Sequence, residues 1–143
     1  MENFMKQLRD RGIAVTPQRL AVMGSLKNRR DHPTAENIYQ EVRRQLPAIS
    51  FNTVYKTLEL LSQNGMVIKV NPLHEVARYD GDTGPHAHLI CRQCHLIVDL
   101  DCQPAELPPL SPDKQIGFQV EFTYLTYWGL CAQCQQREPH QED

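Results

Sequence analysis

The sequence predicts an α+β chain in two parts: an N-terminal winged-helix domain, then a small β-rich domain. Three observations carry this. Apolar residues recur at helical spacing in four successive segments ending at Gly65, the last three behind recognisable caps. Two strand-forming runs, residues 66–70 and 76–80, then flank the turn-prone Asn71-Pro72. Beyond residue 85 a period of two replaces the helical period, and two Cys-x-x-Cys pairs appear, Cys91/Cys94 and Cys131/Cys134.

Taken in order, Phe4 and Leu8 lie one helical turn apart, and Gly12 offers a left-handed end to a first helix. Thr16 is an N-cap with Pro17 at the first helical position, and Leu20, Met23 and Leu26 form the apolar stripe of a second. Thr34 caps a third, whose buried face is Ile38, Val42 and Leu46 and which Pro47 stops. Ser50 caps a fourth, with Val54, Leu58 and Leu61 inward and Gly65 closing it. Helices followed by a two-stranded ribbon is the winged-helix order. Asp80-Gly-Asp-Thr-Gly-Pro85 marks a hinge, so the expected domains are 1–80 and 86–143 with 81–85 between them. Residues 86–90 and 96–100 read as strands around the first cysteine loop. Phe118, Val120, Phe122 and Tyr124 alternate with polar residues and read as a strand leading to Cys131. Pro104, Pro108, Pro109 and Pro112 argue against a long helix over 101–116.

Four thiolates in two short-spaced pairs are the ligand set of a closed tetrahedral zinc site, because each short loop lets two sulfurs converge on one ion. The intervening residues 95–130 exceed a compact zinc ribbon, so the ion is expected to staple distant strands. Cys102 reads as a bystander. The opening MENFMKQLRD lacks the apolar core of a secretory signal, and no run reaches the length of a membrane span. A cytoplasmic protein with reduced cysteines is therefore expected.

Charge is unevenly shared in a chain that is 41% hydrophobic and 22% charged. Residues 1–84 carry 12 Lys and Arg against 9 Asp and Glu, and residues 85–143 carry 3 against 8. A basic half joined to an acidic half suggests a nucleic-acid reader attached to something else. With a pI near 6.3, unselective DNA binding by counterion release is expected to be poor, so a defined site and a dimer are needed. The fourth helix offers Asn52, Thr53, Tyr55 and Lys56 near its N-terminus, where a groove-inserted helix meets base edges. Tyr and Thr can touch thymine methyls, and Lys can reach guanine acceptors or phosphates. Arg19, Arg43 and Arg44 are candidate phosphate contacts.

At these residues the chain resembles the ferric uptake regulator family of bacterial metal-dependent repressors. The matching segments are Thr16-Pro-Gln-Arg19, His32-Pro-Thr-Ala35, Ser50-Phe-Asn-Thr-Val-Tyr55, Ala77-Arg-Tyr-Asp80, His86-Ala-His88, Cys91-x-x-Cys94, Val98-Asp99 and Cys131-x-x-Cys134. The resemblance implies a DNA-binding winged helix, a C-terminal dimerisation domain, a structural Zn²⁺ on the four cysteines and a separate regulatory metal on His32, Asp80, His86, His88 and Asp99. Three imidazoles and two carboxylates suit Fe²⁺ or Mn²⁺, and Zn²⁺ can also occupy such a set. His32 belongs to the first domain, Asp80 to the hinge, and the other three to the second, so one ion would cross-link the domains and favour a dimer fit for a palindromic double-stranded operator.

Aspartate at position 99 resembles the peroxide-sensing branch of the family, where the iron-sensing branch usually has glutamate. On that resemblance His32 and His86 are the expected sites of ligand oxidation, and the protein is a sensor, not an enzyme. The alternative is an iron- or zinc-responsive repressor indifferent to peroxide. Departures from the family's pattern are Ala14, where many relatives carry a basic residue, the prolines of 101–116, His95 in place of a frequent glycine, and the lack of histidine in 115–130, which predicts no accessory metal site. Cys91-Arg-Gln-Cys94-His95 also matches a c-type haem attachment motif, but that reading leaves Cys131 and Cys134 unexplained. A thiol-disulfide oxidoreductase lacks its expected strand-then-helix context.

Overall fold

A computed structural model of the chain describes residues 1–71, 76–102 and 109–137. They form two compact units, Met1–Thr83 and Gly84–Asp143.

In the first unit, α1 (Glu2–Asp10) buries Phe4 and Leu8 and is followed by Gly12 at φ 69°, a conformation glycine adopts at little cost. α2 (Pro17–Leu26) starts at Thr16, whose hydroxyl accepts the Arg19 N–H. Its buried face is Val22, Ser25 and Leu26, with Leu20 and Met23 only partly buried at the rim of the core. The expected stripe is thus rotated. In PQRLAVMGSL apolar and small residues occupy most of the circumference, so spacing alone fixes the inward face poorly. α3 (Ala35–Gln45) opens with a complete capping box: Thr34 Oγ1 accepts the Asn37 N–H at 3.2 Å and Asn37 Oδ1 accepts the Thr34 N–H at 3.1 Å. α4 (Phe51–Gln63) begins at Ser50, whose Oγ accepts the Thr53 N–H at 3.1 Å.

Each cap is worth about 1 kcal/mol, whereas fully burying one leucine is worth about 1.5–3 kcal/mol. The caps therefore decide where the helices start, and the core decides that they pack. That core runs through Phe4, Leu8, Val22, Leu26, Ile38, Val42, Val54, Leu58, Leu61 and Tyr79. β1 (Ile68–Val70) pairs antiparallel with β2 (Arg78–Asp80), Ile68 opposite Asp80 and Val70 opposite Arg78. The ribbon is shorter than the expected runs, and Pro72 lies outside the described residues. Glu59 on α4 ties it down. Its Oε1 accepts from Lys69 Nζ on β1 at 2.8 Å and from the buried Tyr79 hydroxyl on β2 at 3.3 Å. Burial, then the Glu59 charge, push the Tyr79 phenol well above its ordinary range, so it stays a donor.

In the second unit, β3 (His86–Cys91) is the central strand, antiparallel to β4 (Ile97–Asp101) on one side and parallel to β5 (Leu125–Gly129) on the other. The expected strand over Phe118–Tyr124 is not formed; β5 begins one residue later. Alternation marks a pleat but supplies no partner, and β3 pairs only with Leu125 onward, so Phe118, Val120, Phe122 and Tyr124 stay exposed. The described part of 101–116 contains no helix, and 103–108 lies outside the described residues. A six-residue helix, α5 (Ala132–Arg137), carries Cys134. Among the described residues no helix is long and apolar enough to cross a membrane.

The units differ in what holds them. Buried apolar residues described in the second are few, Ala87, Ile90 and Ile97 beside Cys91 and Cys134, while Leu89, Leu96, Val98, Leu100, Tyr127 and Trp128 are exposed. So thin a core calls for a staple.

Candidate metal centres and nucleic-acid interface

The sheet brings the four cysteines of the pairs together. Cys91 ends β3, Cys94 closes the turn after it, Cys131 follows β5 and Cys134 sits on α5. The parallel register places Cys91 opposite Gly129, and Arg92 N–H donates to Gly129 O at 2.8 Å, which aligns the two loops. His95 at φ 64° lets the first loop turn back, with its N–H on Cys91 O at 3.0 Å. The four Sγ atoms lie within 4.8 Å of one another, and Cys94 and Cys131 approach to 3.7 Å. Sulfurs at ~2.3 Å from a tetrahedral ion stand ~3.8 Å apart, whereas a disulfide needs ~2.05 Å. All four are free thiols, and the spacing is that of ligands around one ion.

Their electrostatics agree. The Cys131 N–H, 3.4 Å from Cys91 Sγ, and the backbone N–H groups of the first loop lower the Cys91 thiol to about 5, so it is a thiolate at neutral pH. Burial, with the other three sulfurs, pushes Cys134 up to about 12. A buried thiol crowded by three others ionises only beside a cation, which is what a metal at their centre provides. The donor chemistry therefore fits a closed thiolate-bound ion. Cys102, half-buried after β4, is outside this cluster.

Within the first unit, His32 and Asp80 are both buried, with His32 Nε2 3.5 Å from Asp80 Oδ2. His32 lies in the loop before α3 at φ 50°. Tyr79 N–H donates to Pro33 O at 2.9 Å, and Thr34 bridges to Arg78, so the loop is pinned to the strand that ends in Asp80. The Asp82 N–H, 2.8 Å from Asp80 Oδ1, orients the carboxylate. Gly81 lies against α2: a Cβ there would stand 3.1 Å from Leu26 Cβ and 3.2 Å from Leu26 O.

Within the second unit, His86 and His88 occupy one face of β3, their Nε2 atoms 3.2 Å apart. His88 is in register with Asp99 on β4 and stands 3.3 Å from its Oδ1, with His86 at 3.9 Å. Gly84 O, 2.9 Å from His86 Nδ1, can only accept, so Nδ1 donates there and Nε2 is turned toward His88 and Asp99. Two imidazole nitrogens and a carboxylate oxygen converge on one point.

The expected base-reading residues Asn52, Thr53, Tyr55 and Lys56 are exposed in the first turns of α4. Arg19, Thr16, Gln18, Thr53 and Lys56 line a cleft of about 350 Å³ between the start of α2 and α4. Sequence reasoning missed Phe51, which is 42% exposed, stacks on Tyr55 with centroids 6.4 Å apart, and meets Tyr39 edge-on at 5.8 Å. Its signal was an apolar residue at the first position of a helix whose inward face begins at Val54. Arg43 lies 5.6 Å over the Tyr39 ring. Tyr55→Ala should weaken binding to a selected operator about tenfold while leaving random-sequence DNA binding nearly unchanged in competition gel shifts. Equal losses on both DNAs would make Tyr55 a scaffold residue.

The chain is similar to known proteins over nearly its whole length. Residues 10–127 match the model of the ferric uptake regulator family. The chain is 38% identical over 133 residues to the transcriptional regulator FurA of Mycobacterium tuberculosis, covering 92% of this chain and 90% of that protein. It is 32% identical over 145 residues to the peroxide operon regulator of Bacillus subtilis, covering 98% and 97%. The crystal structure of a Campylobacter jejuni peroxide stress regulator superposes with a TM-score of 0.66 at 32% identity, covering 91% of this chain and 98% of that one.

Proposed function

The chain belongs to the ferric uptake regulator family of metal-responsive transcriptional regulators, and from that footing we propose that it is an Fe²⁺- or Mn²⁺-dependent DNA-binding repressor that senses peroxide by oxidation of its own histidine ligands. The observation that carries this reading is the cluster of His86, His88 and Asp99, three donors converging within 3.9 Å on a face of a sheet whose separate cysteine cluster suits a structural Zn²⁺. His32 and Asp80 form a second pair of donors. Two donors or three leave an ion that prefers five or six ligands incomplete, whereas the five together suit Fe²⁺ or Mn²⁺. We therefore assign one regulatory ion to both sets. Such an ion ties the reader, residues 1–80, to the dimerisation domain, residues 86–143, through the 81–85 hinge, and favours the arrangement in which two α4 helices of a homodimer meet successive half-sites of a palindromic operator.

Ferrous ion held there would supply the reduction of hydrogen peroxide beside the imidazoles, two electrons in all coming from the ring that is oxidised: one peroxide oxygen is added at a ring carbon in place of its hydrogen and the other leaves as water. His32 and His86 are the side chains assigned to take up that oxygen, and loss of either as a ligand would release the reader from the dimer platform. Each protein molecule responds once, so this is a cytoplasmic sensor and not a turnover catalyst. Mn²⁺ on the same ligands supports DNA binding without this reaction.

A second reading is an iron- or zinc-responsive repressor of the same family that ignores peroxide, supported by the match of residues 10–127 to the ferric uptake regulator family. Mass spectrometry separates them. After mild peroxide, Fe²⁺-loaded protein should carry one added oxygen on His32 or His86, and Mn²⁺-loaded protein none. Unmodified histidines in the iron form, with operator binding intact, would select the second reading.

A further inference from the structure

The loop that presents His32 holds two non-glycine residues in the left-handed region, Asn28 at φ 60° and His32 at φ 50°. Asparagine and histidine enter that conformation more often than most side chains, but it is uncommon for either, and what fixes it here is the loop's surroundings. On one side the hold is the β2 contact through Pro33 and Thr34. On the other it is Arg29. The Arg29 Nε and Nη2 donate to Asp31 Oδ1 and Oδ2 at 2.9 and 2.7 Å, a two-pronged grip on one carboxylate, and Nη1 donates to Glu41 Oε2 at 2.6 Å. Asp31 is the residue before His32, and Glu41 lies in the middle of α3. The guanidinium thus joins the residue before His32 to a helix anchored in the core by Ile38 and Val42. The Asp31 and Glu41 carboxylates are exposed while the guanidinium is half-buried, so the strength of the grip comes from its two-pronged, charge-assisted geometry and not from burial.

We propose that Arg29 is a positioning residue for the regulatory metal site, fixing His32 beside Asp80 before the ion arrives. The inference rests on the reading above. It adds that part of the metal affinity is set by a clamp that touches neither metal nor DNA: without it the loop leaves the left-handed conformation, and the ion has to restore it on binding.

The test uses the full chain with zinc bound, titrated with Mn²⁺ at equilibrium, in the parent, Arg29→Met and Glu41→Gln. Arg29→Met keeps the apolar stem and removes the grip; Glu41→Gln removes only the charge that ties the grip to α3. The expected result is Mn²⁺ dissociation constants raised about tenfold for Arg29→Met and less for Glu41→Gln. Operator affinity at saturating Mn²⁺ should match the parent in both, because a preorganising residue shifts the metal requirement and not the loaded state. Unchanged Mn²⁺ affinity in the two variants overturns the inference even if their melting temperatures fall. So does operator affinity lost at saturating Mn²⁺, which would make Arg29 a DNA contact. A parent that binds no Mn²⁺ beyond its zinc overturns the proposed function itself, and this inference with it.

Discussion

Replacing Cys134 with serine should strip the chain of zinc and dissolve its second unit. Cys134 is almost fully buried and closes a cluster whose other sulfurs come from the end of β3, the turn after it and the end of β5. With Ala87, Ile90 and Ile97 as its described buried aliphatic residues, that unit has little else to resist unfolding. Structural zinc binding is worth about 10–16 kcal/mol in small zinc-dependent folds, and a unit that loses one of its four thiolates loses the ion's support for folding. Metal analysis should find no zinc, and sedimentation should find monomer. The helical signal of the first unit should persist, since its core from Phe4 to Tyr79 is independent of the cysteines. A zinc-replete, dimeric Cys134→Ser protein would refute the staple.

The second large effect belongs to Asp80→Ala. Asp80 is buried at the end of β2, oriented by the Asp82 N–H, with its Oδ2 3.5 Å from His32 Nε2. Without it the reader keeps one imidazole, too weak a hold for a hard divalent ion. Mn²⁺-dependent operator affinity, measured by fluorescence anisotropy, should fall to the metal-free level, a loss on the order of 100-fold if the coupling sits near the top of the usual allosteric range. Zinc content should not change, because no cysteine is touched. Operator binding that still responds fully to Mn²⁺ would remove Asp80 from the switch.

What the sequence made legible was local. Thr16, Thr34 and Ser50 cap the helices they precede because a cap is a bond within three residues, and the capping box at Thr34 needs only Asn37. The alternation of His86 and His88 was readable for the same reason, and the cysteine pairs because chelation restricts spacing. What depended on partners far along the chain was not. The strand placed over Phe118–Tyr124 forms instead at Leu125–Gly129, where β3 provides a ladder. The helix carrying Cys134 hid inside a Cys-x-x-Cys motif read only as a loop. The left-handed backbone of His32 and the Arg29 grip spanning Asp31 and Glu41 have no signature in spacing at all. Even α2 faced inward through Val22 rather than Leu20 and Met23, because the choice was made by the neighbours it packs against.

The central claim, that one ion takes ligands from both units, is tested most directly by a double-mutant cycle on Mn²⁺ affinity with Asp80→Ala, Asp99→Ala and the pair, all zinc-loaded. A shared ion predicts one Mn²⁺ per chain in the parent, with each single substitution weakening that same binding and the double hardly worse once one substitution has emptied the site. Two Mn²⁺ per chain, of which each substitution removes a different one, would contradict it.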